Sequence, residues 1–145
     1  MAARDHQEDF WIQLSAAADK RNSLPKFGTP KNASALPANA GEGVSWVFHF
    51  RARPAHIRAG IVTYAENERR HPNEAIRIAE KHVENISKLT NREIVIDESR
   101  PGSPNGRVYA KITPFIPEEP STWDDTISAA LDCMEVFVEV LGNKI

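Results

Sequence analysis

Cationic side chains interleaved with aromatic rings are the residues of this sequence best suited to chemistry, and they follow predicted β-strands. Apolar residues take every second position over 44–53, as Trp46, Phe48 and Phe50 show. Because successive side chains on a strand point to opposite faces, the intervening polar residues share the other face. Across the predicted strands, that polar face comprises His49, Arg51, Arg53, His56, Arg58, Tyr64, Glu93, Asp97, Arg107, Tyr109 and Lys111.

The chemistry expected of this polar face is the binding of an anionic partner. Its five cations outnumber its two acids, although the whole chain has a net charge of −2. Cations that follow phosphates and rings that stack on bases suit a single-stranded nucleic acid, and a basic surface also suits an acidic protein. The alternative is an ordinary solvated face of an antiparallel sheet. The predicted binding residues are Arg51, Arg53, Arg58, Arg107 and Lys111, with Tyr64 and Tyr109 as stacking groups.

A catalytic interpretation of the strands has weaker support. A restriction-type nuclease needs an acid, followed by an acid two residues before a lysine, to hold magnesium. Two residues before Lys111 stands Tyr109, which has no carboxylate. Asp97 and Glu98 lie beside a turn and lack an evident third ligand. The sequence therefore predicts no catalytic residues, and a metal-dependent nuclease is the lowest-ranked alternative.

The chain also shows no pattern typical of a metal or cofactor site. Its single cysteine, Cys133, excludes a disulfide framework and a cysteine-built zinc site. Its five histidines include no pair at the i,i+4 spacing of zinc proteases. Phosphate loops, dinucleotide fingerprints and serine-hydrolase elbows do not occur. We expect neither a metal nor a cofactor.

The elements that would position the polar face alternate between helices and strand pairs. Apolar residues at helical spacing predict helices over 4–21, 72–89 and 121–141, and the second stripe runs from Ile76 to Leu89. Strands are predicted over 44–53, 56–65, 93–97 and 107–113. Residues 23–43, rich in proline and glycine, are expected to be a long loop. The predicted fold is one α+β domain over 1–145, ordered α-β-β-α-β-β-α, with a four-stranded antiparallel sheet and helices on one face.

Length and hydropathy bound the cellular setting. The 145 residues suit one domain, and no apolar run approaches the roughly 18 residues that span a membrane. The N-terminus lacks the apolar segment of a signal peptide. We therefore expect a cytoplasmic protein without membrane contact. Besides an anionic partner, a protein-interaction or inhibitor role, including a homodimer, remains the alternative.

Four segments of the chain resemble a known bacterial family. They are DFWI at 9–12, GEGVSWVF at 41–48, AGIVTY at 59–64 and EPSTW at 119–123. Together they are similar to the uncharacterised domain found C-terminal to nuclease-like regions in restriction-endonuclease-type proteins. The resemblance implies an α+β accessory module in prokaryotic or phage defence. It transfers no catalytic residue to this chain.

Overall fold

The computed structural model describes residues 3–145, with side chains from residue 5 onward. Residues 1 and 2 of the predicted domain lie outside the described part. Short 3-10 turns at Ala3–His6 and Pro120–Thr122 precede the first and last helices. In chain order the elements are α1 (Gln7–Asp19), β1 (Ala35–Gly41), β2 (Val44–Ala52), β3 (Ala55–Thr63), α2 (Pro72–Glu80), α3 (Val83–Thr90), β4 (Ile94–Asp97), β5 (Gly106–Ile112) and α4 (Trp123–Leu141).

The α+β class with an antiparallel sheet is confirmed, but the predicted strand count and element order are wrong. The described residues form a five-stranded sheet in the order β1-β2-β3-β5-β4, and every neighbouring pair is antiparallel. The element order is α-β-β-β-α-α-β-β-α. The two differences are a strand inside the predicted 23–43 loop and a break in the second helix.

The additional strand is β1, whose composition conceals it. Alanine, asparagine, proline and glycine are all depleted in strands. Only Leu36 and Ala38 alternate as buried residues, so the period-two pattern is short. Pro37 is tolerated because β1 is an edge strand, where a missing N–H on the outer side breaks no ladder bond. Its carbonyl accepts a hydrogen bond from the N–H of Gly28 at 2.9 Å.

The predicted second helix consists of two helices separated at Lys81 and His82. Ile76, Ala79 and Ile86 are buried, as their spacing predicted. Leu89 was placed on the same stripe but is 59% exposed. Ile86 and Leu89 both follow the break, and the short α3 buries only Ile86, so the continuous stripe predicted for one long helix does not extend to its last turn.

The core lies between the helices and one face of the sheet. Phe48, Phe50, Ile57 and Ile61 of that face are at most 2% exposed. Phe10 of α1 contacts Phe50 edge-to-face, with ring centroids 6.0 Å apart. The remaining polar positions of the central strands therefore lie on the opposite face. Within the described residues, every helix is too short or too polar to cross a bilayer.

Candidate anion-binding face

Strand register shows which side chains share the face opposite the core. Residues directly opposite one another on antiparallel strands point to the same side. His49 on β2 is opposite Arg58 on β3, and Arg58 is opposite Lys111 on β5. The pairs on either side of this row extend the surface over β2, β3 and β5. We call it the basic face, and it comprises His49, Arg51, His56, Arg58, Arg107, Tyr109 and Lys111.

Three members of the predicted polar face lie at its margins. Arg53 is in the turn between β2 and β3. Tyr64 follows β3 at the other end of the same hairpin, where its N–H donates to the carbonyl of Gly43 at 2.9 Å. Glu93 precedes the edge strand β4. Nine-residue strands separate Arg53 from Tyr64, so one small ligand does not contact both.

A chain of contacts holds the guanidinium of Arg58 in one orientation. His56 Nδ1 lies 2.7 Å from the Pro54 carbonyl, which accepts only, so Nδ1 carries the proton. The opposite ring nitrogen, Nε2, then accepts from Arg58 Nε at 3.1 Å. The Arg58 guanidinium carbon lies 4.4 Å from the centre of the Tyr109 ring, a cation–π distance. Arg58 is therefore positioned with its two terminal nitrogens free of this chain of contacts.

The same contacts remove Tyr109 from its predicted role as a stacking group. Its ring is covered by Arg58, and the residue is only 8% exposed. A base that stacked on this ring would have to displace a cation. Tyr109 instead supports Arg58 from below. His56 and Arg58 are visible in sequence as neighbours at i,i+2, but their partnership with Tyr109 depends on the register between β3 and β5.

The cations of the basic face form no close ion pairs among the described residues, although Asp97 on β4, opposite Arg107, is an acid on the same side of the sheet. In the part of the chain that the structure describes, Arg51, Arg58, Arg107 and Lys111 form no salt bridge. Elsewhere the pattern differs, since Arg21 binds two acids of α4. Arg58 and Lys111 are directly opposite each other, and like charges in that arrangement destabilise a sheet. An anion bound between them would relieve this repulsion.

The positive charges of the basic face help to lower the pKa values of its two histidines, His49 and His56. Burial is the largest cause that lowers the pKa of His49 to about 4. Positive charges act in the same direction, and they come from Arg107, Arg51 and Arg58. The pKa of His56 is also lowered, first by burial. Both rings are therefore neutral at pH 7, which agrees with the role of His56 as an acceptor.

These histidines predict a loss of stability in acid. Unfolded His49 takes up a proton near pH 6.5, whereas folded His49 does so only near pH 4. The unfolded state binds more protons in that interval, so the free energy of unfolding should fall as pH is lowered through it, by roughly 3 kcal/mol from His49. Urea denaturation at a series of pH values measures this. His49→Gln should reduce the slope of the free energy of unfolding against pH in this interval. An unchanged slope would contradict the assignment of the pH effect to His49.

Acidic residues do not form a metal site around this face. Asp97 is opposite Arg107, but its carboxylate accepts from Arg100 Nη1 at 2.6 Å. Among residues 3–145, no three histidine, cysteine or acidic side chains are grouped as metal ligands. Asp97 and Glu98, which the nuclease alternative would use, therefore have no described partner for that chemistry.

Comparison with known proteins adds no family to this description. No known protein family, no curated protein and no solved structure matches the chain. The resemblance to restriction-associated domains, and the defence setting it implies, remain predictions. Evidence for a function therefore comes from the geometry and charge of the basic face.

Proposed function

We propose that the protein binds nucleic acid through contacts between the basic face and backbone phosphates. The observation that supports this best is the grouping of four cations without ion-pair partners on one face of the sheet, within the described residues. They are Arg51, Arg58, Arg107 and Lys111. The protein acts in this proposal as a non-catalytic binding module.

The size and composition of the face favour phosphate contacts over base recognition. Neighbouring strands lie about 4.8 Å apart, and the four residue steps from Arg107 to Lys111 span about 13 Å. With one phosphate for each cation, such an area holds about four phosphates. With Tyr109 covered, the face presents positive charge and few rings. Binding of this kind is sensitive to salt and tolerant of sequence, since phosphates carry no sequence information directly.

Fluorescence anisotropy with labelled single-stranded DNA and RNA at several salt concentrations tests the proposal. Four phosphate contacts predict a slope of about −3 for log K against log salt. Replacing Arg107 and Lys111 together by glutamine should weaken the slope to about −1.4, because two contacts are lost. It should also reduce affinity at low salt.

A matched control distinguishes the basic face from a general charge effect. Arg77→Gln with Lys81→Gln removes the same charge from exposed positions at the end of α2. This control should bind as the wild type does. If wild-type protein shows no binding at low salt, or if both double variants lose equal affinity, the proposal is wrong. If the folded protein does not bind nucleic acid but captures an acidic protein in a pull-down experiment, the alternative of an acidic protein partner is supported.

A further inference from the structure

A recess lies beside the end of β2, at the margin of the basic face. It has a volume of about 440 Å³ and is lined by Ser34, Phe50, Arg51, Ala52 and Arg53. If β1 began earlier in the chain and continued its pairing with β2, its backbone would fill the recess. The β1–β2 pairing begins at Ala35, opposite His49, and one further hydrogen bond joins Phe50 to Ser34. Among the described residues, the end of β2 beyond Phe50 has no strand neighbour on this side.

Hydrogen-bond alternation places a free backbone donor in the recess. The Phe50 N–H donates to the Ser34 carbonyl at 2.8 Å, on the side of β1. Backbone groups of a strand alternate between its two neighbours, so those of Ala52 face the same side as those of Phe50. The bond from Tyr64 N–H to Gly43 fits this alternation on the β3 side. The β1–β2 ladder ends before Ala52, so the Ala52 N–H faces the recess without a ladder partner.

The side chains around this donor are cationic. Arg51 and Arg53 are both exposed, and neither forms a salt bridge within the described residues. The described lining includes no acidic residue. Two guanidinium groups and a backbone N–H together form a donor set for an oxyanion with several free oxygens.

We propose that the recess binds the terminal phosphomonoester of a nucleic-acid strand, an inference that rests on the proposed function. A terminal phosphate has three unesterified oxygens and a charge between about −1.5 and −2 near neutrality, more than that of an internal phosphodiester. Two arginines and a backbone donor match that charge and oxygen count. Arg51 belongs both to the basic face, where it lies opposite His56, and to the lining of the recess, so the two surfaces are continuous.

Oligonucleotides of one sequence with different ends test the proposal. Wild-type protein is titrated with strands bearing a 5′-phosphate, a 3′-phosphate or hydroxyls at both ends. We expect one of the phosphorylated strands to bind about tenfold more tightly than the hydroxyl strand, the ratio that two charge-assisted contacts readily supply. Which end is preferred identifies the polarity of the bound strand.

Two single variants separate the recess from the basic face. Arg53→Gln, in an exposed turn, should abolish the preference for the phosphorylated end and reduce hydroxyl-strand affinity less than Arg107→Gln does. Arg107→Gln should weaken every strand alike and preserve the preference. Circular dichroism checks that both variants fold.

The outcomes distinguish the recess from the proposed function on which it rests. Salt-sensitive binding with no preference among the three strands, or a preference that survives Arg53→Gln, overturns the assignment of the recess and leaves the proposed function in place. If none of the strands binds at low salt, both fail together.

Discussion

Replacing Phe10 by alanine is expected to lower the free energy of unfolding by about 3–5 kcal/mol. Phe10 is completely buried in α1, and its ring is the centre of an aromatic cluster. Ring centroids lie 5.5 Å away at Trp11, 6.0 Å at Phe50, 4.8 Å at Phe115 and 5.4 Å at Trp123. These partners come from α1, β2, the segment after β5 and α4, so the alanine leaves a cavity where four parts of the chain meet.

Urea denaturation of Phe10→Ala measures the loss, with Ile12→Ala as the control on the same helix. Ile12 is 51% exposed, and its truncation should change the free energy of unfolding by no more than about 0.5 kcal/mol. Both substitutions have similar effects on intrinsic helix propensity, so the difference between them reports burial. Equal effects in the two variants would mean that the cluster does not hold α1 against the sheet.

Burial patterns in the central strands and the last helix could be predicted because one period dominates each of them. Trp46, Phe48 and Phe50 take alternate positions and the structure buries all three, with Val47 also buried on the other face. The same alternation correctly assigned Arg58 and Lys111 to one face. The assignment is sensitive, since an error of one residue would have moved every side chain of the strand to the wrong side. Strong local periodicity in a half-buried element is sufficient for this level of prediction.

Features that depend on strand register, or on residues with weak strand preference, could not be predicted from the sequence. Strand β1 has only two well-buried residues in alternation and includes Pro37, so its place is set by pairing with β2. Tyr109 was predicted to be available for stacking because its strand position was polar. Its burial under Arg58 follows from the pairing of β3 with β5, two strands that are far apart in the sequence. The recess depends likewise on where β1 begins.

Gly60 lies within the pairing of β3 and β5, the strands that carry Arg58 and Tyr109 of the basic face. Gly60→Ala should lower the free energy of unfolding by about 3 kcal/mol or more. Gly60 lies opposite Tyr109 at the centre of the sheet. A β-carbon added there would collide with the carbonyl oxygen of Val108 and would lie 2.7 Å from the Tyr109 Cα. The strands approach closely because the position has no side chain. Thermal unfolding should show a midpoint about 10 °C lower than that of the wild type.

Two further variants establish that backbone contact is the cause. Gly28→Ala makes the same chemical change where the nearest atom, the Pro37 carbonyl oxygen, is 3.5 Å away, an ordinary contact distance. It should leave the midpoint nearly unchanged. Tyr109→Ala combined with Gly60→Ala should not restore stability, because the colliding oxygen belongs to the Val108 main chain. Recovery in that double variant would show that the tyrosine ring, and not the spacing of β3 and β5, requires glycine at this position. Without recovery, the spacing of the β3 and β5 backbones is what requires glycine at this position. The same two strands carry Arg58 and Tyr109, so the pairing that Gly60 permits also places this cation over its supporting ring.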